Sequence, residues 1–121
     1  MAKEKHVLLT NIVPSGLCIA SDDGEKVYLE ISNALKEEYQ VFISFEGVKD
    51  LNSAFLNAAI GQLYKGEIKW DAIRKNLKTK NATQENLHLI KRVVERAKAF
   101  FREPERFVNA TKEALGDGDR D

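Results

Sequence analysis

Asp50, Asn52 and Ser53 stand where an almost continuous apolar run, Val41 to Phe45, gives way through the polar turn Glu46-Gly47 to an apolar helical pattern. The side-chain oxygen of Asn52 or Ser53 can cap the free amides of a helix start. Those amides and their partial positive charge also attract anions, so Ser53 with Asn52 beside it is a candidate holder of a phosphate or a carboxylate. Capping alone accounts for the same two residues. Ser53, Asn57, Gly61 and Lys65 recur every four residues and so share one stripe of a helix. Phe55, Leu56, Ala59, Ile60 and Leu63 fall opposite and belong to the core. A small residue in mid-stripe admits close approach of another surface, either a partner protein or the neighbouring helix of the same domain. Asp50, Asn52, Ser53, Asn57 and Gly61, with the turn Gly47 to Asp50, are therefore the candidate partner-binding residues.

Other constellations are less suited to chemistry. His6 and His88 are the two histidines, and neither has an acidic residue spaced with it as a metal pair or catalytic dyad. There is no Gly-x-Gly-x-x-Gly and no Walker-type loop. Turn chemistry explains the adjacent Asp22 and Asp23. Trp70 and the Phe100-Phe101 pair read as core or interface aromatics. The single cysteine, Cys18, excludes an internal disulfide and reads as a small buried apolar residue. The expectation is no catalytic residue, no metal and no cofactor.

A chain of 121 residues fits one domain that buries roughly two-thirds of its unfolded surface. Hydrophobic content of 43% and charged content of 31% suit a globular protein and not a disordered one. No apolar run approaches the roughly 20 residues of a membrane helix, and the N-terminus lacks a secretory pattern, so a reduced, cytoplasmic setting is expected. The net charge is zero but uneven: −4 over Met1 to Tyr64, +6 over Lys65 to Arg106 and −2 beyond. The basic middle could meet nucleic acid through Lys75, Lys78, Lys80, Lys91, Arg92 and Arg96. Its interleaving with apolar positions also suits a solvated helix face.

Periodicity supplies the elements. Val7 to Ile12 reads as a strand, with Leu17 to Ala20 close enough to form a hairpin with it. Ser21 to Gly24 reads as a turn supplying cap oxygens, followed by a helix whose apolar face is Val27, Ile31, Ala34 and Leu35, ending near Tyr39. Val41 to Phe45 predicts a central strand covered on both sides. A helix is expected from Asn52 or Ser53 to Lys65-Gly66. Trp70, Ile73 and Leu77 suggest a short helix, and Leu77 to Lys80 an exposed edge strand whose lysines discourage aggregation. Thr83 caps a long helix with the stripe Leu87, Ile90, Val93, Val94, Ala97, Phe100 and Phe101, interrupted at Pro104. A short helix over Phe107 to Leu115 follows, then a disordered tail, 116–121.

The residues Phe45-Glu46-Gly47-Val48, Asn52-Ser53-Ala54-Phe55-Leu56 and Ile60-Gly61-Gln62-Leu63-Tyr64 resemble the bacterial and phage STAS-like family of unknown function. That family is related to the sulphate transporter and anti-sigma-factor antagonist domain. Weaker similarity touches Leu17 to Tyr28 and Val93 to Lys98, so the resemblance reaches to about Pro104. It implies a small α/β fold, a mixed sheet of four or five strands with helices packed on it, and a regulatory role in binding a partner protein. The better-understood antagonists carry Asp-Ser-Ser/Thr-Gly-Leu-Gly, whose second hydroxyl is phosphorylated by a histidine-kinase-like ATPase. Laid on this chain, that motif puts Asn52 under the aspartate, Ser53 under the first serine and Ala54 under the phosphorylated residue. Ala54 has no hydroxyl, so the inherited switch is missing at its usual place and Ser53 is the remaining candidate. Ser44 likewise stands where the family tends to carry an aspartate.

The expectation is thus one non-catalytic STAS-like domain, residues 1–115, binding a partner protein, with a histidine-kinase-like ATPase implied. The competing expectation is a nucleic-acid-associated regulator using the basic Lys65 to Arg106 region.

Overall fold

The structure, a computed structural model, describes residues 3–112, and side chains as far as Arg102. The expected tail, 116–121, lies outside the described residues, as do the side chains expected to form the Phe107 to Leu115 helix face. The described residues form five strands and five helices, agreeing with the small α/β domain expected.

Three strands form one sheet. β3 (Gln40–Ser44) lies between β1 (Glu4–Leu8) and β5 (Leu77–Lys80), and both ladders are parallel. A second, two-stranded parallel sheet pairs β2 (Leu17–Cys18) with β4 (Asp50–Leu51). The strand count matches the expectation, but the strands divide between two sheets, and every pairing is parallel where a mixed sheet was expected. The expected hairpin of the first two strands does not form.

The reason lies in what β1 pairs with. Its partner β3 ends at Ser44, opposite Leu8. Beyond Leu8 the chain has no ladder to join, and it coils into the single turn α1 (Leu9–Ile12), burying Leu9 and Val13. The strand read over Val7 to Ile12 is therefore strand only at Val7 and Leu8 and helix over Leu9 to Ile12.

α2 (Ser21–Lys36) buries the expected stripe of Val27, Ile31, Ala34 and Leu35. It begins earlier than expected: Ser21 to Gly24 is its first turn, entered from an extended Ala20 without a side-chain cap. Asp22 and Asp23 there favour the positive end of the helix dipole. The helix stops at Lys36, and the left-handed Glu38 turns the chain toward β3.

β3 alternates as a strand must. Val41, Ile43 and the following Phe45 are buried against the helices, while Phe42 and Ser44 are half-buried on the other face. β3 is the central strand expected, but the expected cover on both sides is corrected by this alternation. The helix expected from Asn52 to Lys65 is two pieces, α3 (Ser53–Ala59) and a 3-10 turn (Gly61–Lys65) ended by the left-handed Gly66. After α4 (Trp70–Asn76) and β5, Thr83 Oγ1 accepts the Asn86 N–H at 3.0 Å at the start of α5 (Gln84–Lys112). Pro104 does not end α5. A proline removes one intrahelical bond, and the helix continues through it. The core gathers α2, α3, the 3-10 turn, α4 and α5 around Phe55, Leu56, Leu63, Ile73 and Val93.

Candidate functional site

Two left-handed glycines bring the candidate turn into place. Gly16 (φ 78°) and Gly47 (φ 80°) back onto each other, and a Cβ on Gly16 would stand 2.5 Å from the Gly47 carbonyl oxygen. The Gly16 carbonyl accepts the N–H groups of Lys49 (2.8 Å) and Asp50 (3.2 Å). The β2–β4 ladder follows, with Leu17 opposite Asp50 and Cys18 opposite Leu51. The edge is strapped to β2 before α3 begins.

Asn52 completes the strap and is the N-cap of α3. Its Oδ1 accepts the Phe55 N–H at 2.9 Å, its Nδ2 donates to the Ile19 carbonyl at 3.1 Å, and its own N–H donates to the Cys18 carbonyl at 3.3 Å. Both ends of its amide are thus committed to holding β2 against α3. Asp50 is exposed, and its Oδ1 accepts the Leu51 N–H at 2.9 Å. Ser53, Ala54 and Asn57 are exposed. α3 spans seven residues, and its Phe55 amide is already taken by Asn52, so capping accounts for this helix start.

The chain leaves α-helical geometry after Ala59 and tightens into a 3-10 turn. Gly61 nevertheless stays beside Asn57, whose Oδ1 would stand 3.5 Å from a Cβ at position 61. Gly61 is buried, and a Cβ there would lie 3.7 Å from both Ala97 Cβ and Val93 Cγ1 of α5. The surface that approaches Gly61 is α5 of the same chain, and Gly61 lines a groove between them. Lys65 leans toward α2, with Nζ 5.0 Å from the Tyr28 ring centroid and 4.0 Å from Glu67 Oε2. A hydrogen bond with the Tyr28 hydroxyl raises the Lys65 pKa, against an opposing effect of desolvation. Glu67 is held below the usual carboxylate range by its hydrogen bond from Lys36.

Beside Asn57, α3, the 3-10 turn and α5 enclose a largely apolar groove of about 300 Å³. Gln62, Arg96, Phe100 and Phe101 line it with Asn57. Phe100 is 63% exposed and meets Phe101 edge-on, their centroids 5.0 Å apart. Gln62 is fixed by Nε2 bonds to Glu25 Oε2 (2.7 Å) and the Ala58 carbonyl (2.9 Å). The groove was not read from the sequence, in which the Phe100-Phe101 pair reads as core or interface aromatics.

The basic candidates are exposed and divided among elements: Lys75 on α4, Lys78 and Lys80 on β5, and Lys91, Arg92 and Arg96 on α5. Cys18 is fully buried, and that burial, with the nearby Asp23 charge, pushes its thiol up to about 11. Among the described residues no three His, Cys, Asp or Glu side chains gather as a metal site. No described helix is long and apolar enough to cross a membrane.

The model of one family, the STAS-like domain of unknown function (DUF4325), matches residues 23–87. The chain belongs to this family. Neither a curated protein nor a solved structure matches it. The matched span runs from the first turn of α2 into the first turn of α5, so it holds the whole Asp50 to Asn57 edge and the four glycines at positions 24, 47, 61 and 66. β1, β2 and the groove wall carrying Arg96 and Phe100 fall outside it. The two small parallel sheets with five helices are this chain's version of the STAS-like fold.

Proposed function

We propose that this STAS-like domain is a non-catalytic regulatory module of the cytoplasm that docks onto a partner protein. Its docking surface is the exposed edge Asp50, Ser53 and Asn57 together with the groove that Asn57 shares with Phe100. The observation that carries the reading is Asn57, which belongs to both surfaces at once and joins a polar edge to an apolar pocket. An apolar anchor ringed by polar groups is how protein interfaces concentrate their binding energy. The edge is also held rigidly by Asn52 and the paired glycine turns, so little ordering entropy is lost on docking. Kinship with the anti-sigma-factor antagonists makes a histidine-kinase-like ATPase the partner to try first.

A photo-crosslinking residue at position 57, used in the host cell, identifies the partner by mass spectrometry. Affinity of the purified pair is then measured for Asn57→Arg and for Asn33→Arg, the latter on the exposed side of α2. The first substitution weakens binding at least tenfold and the second leaves it unchanged. Equal affinity of both variants removes the docking proposal. Ser53 is the hydroxyl such a kinase would modify in place of Ala54. Incubation with the partner and ATP then adds one phosphoryl mass to the wild type and none to Ser53→Ala, and an unmodified wild type removes that element.

A further inference from the structure

The face of the three-stranded sheet that points away from the helices carries its own pattern. Register places Glu4 and Gln40 in one row, His6, Phe42 and Lys78 in the next, and Leu8, Ser44 and Lys80 in the third. His6 stacks on Phe42 with ring centroids 5.0 Å apart and planes 14° from parallel. From the β5 side, Lys80 Nζ lies 4.9 Å from the Phe42 centroid. Among the described residues Lys78 and Lys80 are in no ion pair, whereas Lys5, on the helix-facing side, reaches Glu30 at 3.9 Å. The Nε2 of His6 is 3.1 Å from Glu4 Oε1, so acidic charge bounds the platform on the β1 side and cationic charge on the β5 side.

We propose that this face binds single-stranded nucleic acid. Bases stack on aromatic rings with little regard to sequence, and lysines follow the phosphates. Here the exposed His6 leaves the stack open toward β1, where a base extends it. Lys78 and Lys80 lie up to two strand spacings away, roughly 10 Å, where the phosphate runs. An acidic peptide would use the lysines, but it would gain nothing from the His6–Phe42 stack. None of these residues belongs to the Asp50–Asn57 edge or to its groove, so the proposal stands or falls separately from the docking reading.

The test is fluorescence anisotropy with labelled mixed-sequence single-stranded DNA and RNA of about ten nucleotides, titrated at low salt and again at higher salt. Binding weakens with salt, with a slope of about −1.4 if two lysines neutralise two phosphates. The pair Lys78→Glu/Lys80→Glu and, separately, His6→Ala each weaken binding about tenfold, as does Phe42→Ala, its fold checked by circular dichroism. Lys91→Glu/Arg92→Glu on α5 leaves affinity within about twofold. Absence of binding at low salt overturns the proposal. Equal losses from the α5 pair overturn it too. So does poly-glutamate binding that depends on Lys78 and Lys80 while nucleic acid does not bind.

Discussion

Gly24 lies directly against Phe55: a Cβ at position 24 would stand 2.5 Å from the Phe55 carbonyl oxygen and 2.8 Å from Ala58 Cβ. The closest approach of α2 and α3 is therefore made through a residue without a side chain. Alanine at position 24 would favour helix by about 1 kcal/mol. It would also force two helix backbones apart, which costs about 1–3 kcal/mol in a packed core. Gly24→Ala is expected to be less stable than the wild type in urea denaturation. A more stable variant would show that the two helices do not meet here.

Asn52 holds the candidate edge by both ends of its amide. Asn52→Ala loses the cap on Phe55 and the bond to Ile19, a destabilisation of about 1–2 kcal/mol. Hydrogen exchange should quicken at the amides of Phe55 and its neighbours before the rest of the core. Asn52→Asp restores the cap oxygen but not the donor to Ile19, and it is expected to fall between the two in stability.

Gly61 has room for a methyl group and for little more. Its nearest neighbours on α5 are 3.7 Å from a built Cβ, an ordinary contact, and its backbone is not left-handed. Gly61→Ala should leave the thermal midpoint nearly unchanged. Gly61→Leu must push α5 away from the 3-10 turn, with a loss of about 1–3 kcal/mol. If both variants behave alike, α5 does not pack there.

Cys18 makes stability depend on alkaline pH. Burial, then Asp23, raises its thiol from 9.0 to about 11 in the folded chain, so the unfolded chain gives up the proton first. The contribution is whole below about pH 9 and is lost as pH rises toward about 11. Urea denaturation across that window should show the wild type losing stability faster than Cys18→Ala. The native thiol should also react slowly with disulfide reagents at neutral pH, because the thiolate is the nucleophile. Parallel pH profiles of the two proteins would place Cys18 in a wetter site.

Much of this arrangement could be read from residue order. The alternation of apolar runs with helical stripes gives the α/β class, the buried face of α2, β5 as an edge strand, and Thr83 as a cap. Those are local properties, because a stripe or a cap depends on residues a few positions apart. Of the α5 stripe Val93 and Ala97 are buried, whereas Leu87 and Phe100 stay exposed. The sequence missed where neighbours were decisive. Gly24 reads as a turn residue until α3 is laid across it, and Gly61 reads as facing either a partner or a neighbouring helix until α5 is seen beside it. Similarly, Leu9 to Ile12 looks like strand, but β3 offers no further partner beyond Ser44.

The candidate edge divides in the same way. That Asn52 could cap a helix, and that Ala54 removes the family's hydroxyl, are matters of residue type and were settled by the sequence alone. Which side chains of the stripe remain open was decided only by tertiary structure. α5 covers Gly61 while Ser53 and Asn57 stay exposed. Helical spacing says which residues share a face, and only packing says what that face meets.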